Sequence, residues 1–120
     1  MKRVADFICT APAALRAVLA VTLLGSCGVC TAGDVEVGRM KAEMVCQTCH
    51  GMNGRGTQAM VANIGGQQQE YLVKQLTDFK EGRRQHPQMS IIAGMLSSDD
   101  IANVATWYSR IVATFEVPGD

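Results

Sequence analysis

The 120-residue sequence predicts an all-α domain wrapped around a bulky buried group. Three stretches place apolar residues at helical spacing, and no comparable run alternates apolar with polar residues as a sheet would require. The connections between those stretches are long and rich in glycine or polar residues. Only five aromatics, Tyr71, Phe79, Trp107, Tyr108 and Phe115, lie in residues 33–120. So small a chain with so thin a core needs something more to pack against.

The first helix is expected from an Asp34 N-cap, with Val37, Met40, Met44 and Val45 as its apolar stripe, running straight into Cys46. A sixteen-residue connection, 51–66, follows. A compact domain seldom keeps so long a structureless segment unless it wraps something. In the second helix, Leu72, Leu76 and Phe79 fall at i, i+4 and i+7, and Gly82 is a natural stop. A second connection covers 82–88 and leads into an irregular segment around Met89. The third helix has the strongest start signal, because Ser97 and Asp100 have the spacing of a capping box. From there Ile101, Val104, Ala105, Tyr108 and Ile111 form one apolar stripe.

The first thirty-two residues read as an export address. Lys2, Arg3 and Arg16 stand against a single acidic residue, Asp6, and the sixteen residues from Ala17 to Ala32 carry no charge. That run falls short of the ~18 apolar residues expected of a spanning helix and suits a secretory signal peptide better. Small residues at Cys30-Thr31-Ala32 place cleavage after Ala32. A competing reading takes Leu23-Leu24-Gly25-Ser26-Cys27 as a bacterial lipobox, which would leave Cys27 lipidated and the protein tethered to a membrane. A spanning anchor is the third reading.

The formal charge of zero is the sum of a basic leader and a slightly acidic remainder, with eight basic and ten acidic residues in 33–120. Nothing in that balance would attract nucleic acid. Partner docking is then a matter of local patches.

Five cysteines cannot all pair within one chain. Cys9, Cys27 and Cys30 fall in or beside the leader, and the other two lie in Cys46-Gln47-Thr48-Cys49-His50. C-x-x-C-H is the attachment pattern for haem c. Two thiols three positions apart at a helix end can reach the two vinyl groups on one side of a porphyrin, and the next residue sets an imidazole beneath the iron. A redox dithiol of the thioredoxin kind would need a βαβ setting, and zinc would want four ligands where His86 is the one other histidine. With His50 as one axial ligand, the other position falls to Met52, Met60, Met89, Met95 or His86, or stays open. Met52 and Met60 are too close to His50 in sequence to reach the opposite haem face easily. Met89, thirty-nine residues after His50 and just past Pro87, is better placed, with Met95 as its competitor.

In order along the chain, CQTCHG, Gly65-Gly66-Gln67, YLVKQLTDFKEGRR, HPQM and LSSDDIANVATWYS resemble the class I c-type cytochromes. The resemblance is to the bacterial periplasmic group with one or two haems, and it covers nearly all of residues 33–109. It implies a small cytochrome c fold of three or more helices around one covalently attached haem c and its iron. The haem-linking cysteines then fall on Cys46 and Cys49, the proximal ligand on His50 and the distal methionine on Met89, which leaves Met95 as packing. Gly66, Gln67, Tyr71, Gln75, Leu76, Phe79, Gly82 and Arg84 match the family's middle segment, and Trp107 stands where a tyrosine is usual.

One departure is the absence of proline from 57–64. In many relatives a carbonyl of that segment accepts the bond from the proximal histidine's other nitrogen, tuning the iron. Without proline, the rigidity of the loop and the potential it sets have no support from the family pattern.

The resemblance implies a periplasmic electron carrier rather than an enzyme. Histidine–methionine ligation fills the iron's coordination and raises its potential. Redox proteins would be its partners. The alternatives are a haem subunit bound to a dehydrogenase, or, if Met89 does not coordinate, an open iron that binds small gases or supports peroxidase chemistry. Arg83 and Arg84 suit haem propionates, an acidic partner, or simply solvent after a helix stop.

Overall fold

A computed structural model describes residues 33–119, and among them every regular element is helical. The leader, its cleavage after Ala32 and the lipobox at Cys27 lie outside the described residues.

The chain enters α1, Val35–Lys41, through the expected cap. The Asp34 carboxylate accepts from the backbone N–H groups of Glu36 and Val37 at 2.8 and 3.0 Å, satisfying donors that a helix start leaves unpaired. The rod continues through a π-helical turn, Ala42–Cys46, into α2, Gln47–His50. Gly51, at φ 68°, ends it.

The expected stripe of this rod does not face the core. Met40 is 47% exposed and Met44 77%, whereas the buried positions are Gly38 and Ala42. The reason is a close crossing with the last helix, α5, Ser98–Ser109. A Cβ on Gly38 would lie 2.0 Å from the Asn103 carbonyl oxygen, so two backbones meet where a larger residue would hold them apart. The π turn then changes the face on which later residues lie, turning Cys46 towards the core that Ala42 begins.

α3, Gln69–Lys80, buries Leu72 and Phe79 as its spacing predicts. Gln69 also donates to Thr106 Oγ of α5 at 2.9 Å. After Glu81, Gly82 takes φ 76° and reverses the chain. The return is tied to Asp78, whose carboxylate is paired with Lys74 and, at 2.8 Å, with Arg83. Both pairings hold that carboxyl below its usual range, Lys74 contributing most.

Met89 opens a helix where the sequence suggested an irregular segment: α4 spans Met89–Gly94. Its start is supplied by a side chain that propensity does not advertise. His86 Nδ1 accepts from the backbone N–H groups of Gln88 and Met89, both at 3.3 Å, while the His86 N–H donates to Ser90 Oγ at 3.1 Å. α4 packs on α3.

α5 begins with the predicted capping box: Ser97 Oγ accepts from the Asp100 N–H and the Asp100 carboxylate accepts from the Ser97 N–H, each at 3.0 Å. Its stripe of Ile101, Val104, Ala105 and Tyr108 is buried, and with Ala42 and Leu72 it makes the core. Tyr108 is the one large side chain with no exposure at all among the described residues.

Candidate functional site

The C-x-x-C-H motif closes the rod that α1 starts. Cys46 is half-buried at the edge of the core, Cys49 is exposed, and both are free thiols. Burial, partly opposed by the positive charge of Lys41, pushes the Cys46 thiol up to about 11. It is therefore a neutral thiol at neutral pH, unlike the thiolate of a redox dithiol or a zinc site. A thioether, which does not ionise, suits that position without penalty.

His50 Nδ1 lies 2.9 Å from the Ala62 carbonyl oxygen. A carbonyl only accepts, so Nδ1 carries the proton, and in the neutral ring the lone pair is on Nε2. The ring thus offers one nitrogen for an iron while its other nitrogen is held by the 51–66 connection. The missing proline does not abolish this bond, because any residue has a carbonyl to give.

The backbone around the motif is gripped on several sides. Thr57 donates from its N–H to the Cys49 carbonyl at 2.9 Å, and its hydroxyl sits 2.9 and 3.1 Å from the carbonyl oxygens of Cys49 and Thr48. From α5, Tyr108 donates its hydroxyl to the Gly51 carbonyl at 3.0 Å and Trp107 its indole N–H to the Met52 carbonyl at 3.2 Å. Burial raises the Tyr108 phenol well above its usual range, so this donor stays protonated. No sequence pattern announces these contacts, since each acceptor is main chain.

The other methionines separate by environment. Met52 packs against the core, and Met60 is fully exposed. Met89 is half-buried at the head of α4, and none of its hydrogen bonds among the described residues reaches the Cys46–His50 segment. Met95, expected as packing, is instead 65% exposed, because Ala93 and Leu96 take the buried positions on either side of it. His86 uses Nδ1 to cap α4 and sets its ring edge-on to Phe79 at 6.5 Å. Arg84 lies over the same Phe79 ring, 4.5 Å from its centroid, and bonds Gln75 at 2.6 Å, while Arg83 pairs with Asp78 and Glu81.

These residues fit a covalently bound haem. The donor set is two free thiols beside an imidazole that is held at Nδ1 by a carbonyl and so directs Nε2 to a metal. Among the described residues, Met44, Tyr71, Ile91 and Met95 are also left uncovered, outside a core with a single large fully buried side chain. Exposed apolar surface of this kind is what a bulky apolar group would cover. No helix among the described residues is long and apolar enough to cross a membrane.

Comparison with known proteins points the same way. The chain is 39% identical over 77 residues to a cytochrome c4 of Thiocapsa roseopersicina, a match covering 64% of this chain and 40% of that protein. It is 33% identical over 81 residues to cytochrome c-554(548) of Halomonas halodenitrificans, covering 65% of this chain and 96% of that protein. A thiosulfate dehydrogenase electron acceptor of Thiomonas intermedia is 33% identical over 98 residues, covering 81% of this chain and 45% of that protein. The chain thus spans about 40% of the length of the cytochrome c4 relative. Residues 35–109, from the first turn of α1 to the end of α5, match the Cytochrome c family, and the chain belongs to it.

Proposed function

We propose that the protein is a periplasmic one-electron carrier holding one haem c on Cys46 and Cys49, with His50 and Met89 as axial ligands. The haem iron supplies the reversible one-electron couple. The observation that carries this reading is the His50 ring, held at Nδ1 by the Ala62 carbonyl so that Nε2 is the nitrogen left for a metal, directly after the two free thiols. Cys46 and Cys49 would anchor the group through two thioether bonds, so that it cannot dissociate. The hydrogen bond at Nδ1 orients the imidazole and raises its basicity towards the metal. Met89 would be supplied by the head of α4, which packs on α3, so the second ligand would come from a different part of the chain from the first.

Two filled axial positions leave no room for substrate at the metal, which favours electron transfer over turnover. Relatives named as electron acceptors of thiosulfate dehydrogenase support a donor that is an oxidising enzyme of that type. The basic head and uncharged run of residues 1–32 support export with cleavage after Ala32, with lipidation at Cys27 as the alternative route.

Mass analysis of the denatured, exported protein is expected to give the mature chain plus one haem. A chain without that added mass would end the proposal. In the oxidised protein, a weak far-red sulfur-to-iron absorption band is expected and should vanish in Met89→Ala. If the band persists there, another methionine is the ligand. If the wild type lacks it and binds carbon monoxide readily when reduced, the iron is open and the gas-binding or peroxidase reading takes over.

A further inference from the structure

We propose that Thr57 and Asn63 are positioning residues for His50: together they hold the Ala62 carbonyl on its Nδ1 and so help set the reduction potential. The inference rests on His50 being the proximal ligand.

The 51–66 connection has no proline and would be loose without internal ties. The first tie is Thr57, fixed to the end of the haem-motif helix by its N–H and its hydroxyl, both directed at the Cys49 carbonyl. The second is Asn63, whose side-chain oxygen accepts from the Gly56 N–H at 2.9 Å and so joins the outgoing and returning arms of the loop. Gly56 makes that closure feasible, because a Cβ there would lie 2.2 Å from the Val61 carbonyl oxygen. Just beyond Asn63, the Ile64 N–H donates to the Gly54 carbonyl at 2.7 Å. On the other side the Val61 N–H donates to the Gln58 carbonyl at 3.2 Å, so Ala62 lies between two pinned neighbours and its carbonyl has a fixed direction.

Met60 shows that the closure carries load. It is the one non-glycine residue at positive φ among the described residues, at 72°, with its side chain wholly in solvent. Such a conformation costs free energy and persists only where the surrounding structure over-determines it. Here the ties at Thr57 and Asn63 on either side of the turn impose it.

The consequence for the metal follows from proton sharing. An imidazole N–H given to a well-aimed carbonyl makes the other nitrogen a stronger donor, which favours oxidised iron and lowers the potential. A carbonyl that wanders, with water taking its place, weakens that push.

The test uses the full-length haem-loaded protein and the variants Thr57→Val, Thr57→Ser and Asn63→Leu. Readouts are the midpoint potential and, in the reduced protein, the exchange rate of the His50 Nδ1 proton by NMR. Thr57→Val and Asn63→Leu are expected to raise the midpoint and speed that exchange about tenfold, roughly the equilibrium weight of one ordinary hydrogen bond. Thr57→Ser, which keeps the hydroxyl, should restore both values. Unchanged potential and exchange in Thr57→Val overturn the proposal. So do changes that Thr57→Ser fails to reverse, or that merely follow global stability measured by denaturant. Should Asn63→Leu fail to take up haem, the two Thr57 variants decide alone. If wild-type His50 ring protons lack the large upfield shift of a ring lying against haem, the ligand assignment itself fails. Where they show that shift but the variants are inert, only the clamp fails.

Discussion

Gly38→Ala sets two physical effects against each other at one position, and the structure says which wins. Helix propensity alone predicts stabilisation, since alanine in a helix interior is favoured over glycine by about 1 kcal/mol. Against this, the added Cβ would lie 2.0 Å from the Asn103 carbonyl oxygen and 2.6 Å from its carbon, where ordinary contact needs about 3.4 Å. The obstructing atoms are backbone, so no rotamer change relieves them, and α1 and α5 must part by about 1.4 Å. Overpacking of a tight contact costs about 1–3 kcal/mol, and a clash of helix backbones belongs at the upper end. The net expectation is a loss of about 2 kcal/mol, which for a domain of this size lowers Tm by roughly 8–16 °C. Gly94→Ala is the matched control: Gly94 ends α4, and a Cβ there would touch nothing within 4 Å. It should gain about 0.4–1 kcal/mol through reduced freedom of the unfolded chain. Thermal unfolding of the haem-loaded protein followed by circular dichroism measures both. A Gly38→Ala protein as stable as wild type would refute the close crossing of α1 and α5.

Three further outcomes follow from single contacts. Tyr108→Phe and Trp107→Phe each remove a donor to a carbonyl just after His50, and each should cost about 1 kcal/mol in denaturant unfolding, with the larger loss in the fully buried Tyr108. His86→Ala removes the acceptor that caps α4 and should cost about 1 kcal/mol while weakening the far-red band assigned to Met89; His86→Asn, a good cap, should restore the band. Lys74 and Arg83 lower the folded-state pKa of Asp78, so its contribution is present above the unfolded value of about 3.9 and is lost as pH falls through the folded one. Asp78→Asn should therefore flatten part of the acid limb of stability below about pH 4, measured by denaturant titration at stepped pH.

Elements whose side chains carry the pattern are legible in the sequence. Ser97 and Asp100 form the capping box that their spacing announces, and the stripe from Ile101 to Tyr108 is buried as its period requires. Leu72 and Phe79 behave the same way in α3. In α1 hydrophobicity does not mark the buried face. There the buried face is set by smallness, through Gly38 and Ala42, and the large apolar Met40 and Met44 lie outside. α4 leaves no sequence signal for another reason: its six residues are too short for a period to show, and its cap is a histidine imidazole rather than a hydroxyl or carboxylate.

The candidate site shows its chemistry in the sequence and hides its support, for one reason. A helix end leaves its last carbonyls without partners, and this one also carries the haem motif. The Gln47 carbonyl accepts from the Gly51 N–H, those of Thr48 and Cys49 from Thr57, that of Gly51 from Tyr108 and that of Met52 from Trp107. Every residue type has the same carbonyl, so this network leaves no mark at positions 47–52, and its donors lie up to 57 residues away. On the proposed reading Cys-x-x-Cys-His names the atoms that would hold the haem, while Thr57, Trp107 and Tyr108 tie down the backbone that carries them. A substitution at any of those three that spares haem attachment should still loosen the carbonyls around His50. Their effect belongs in the potential and in proton exchange rather than in whether the haem is bound.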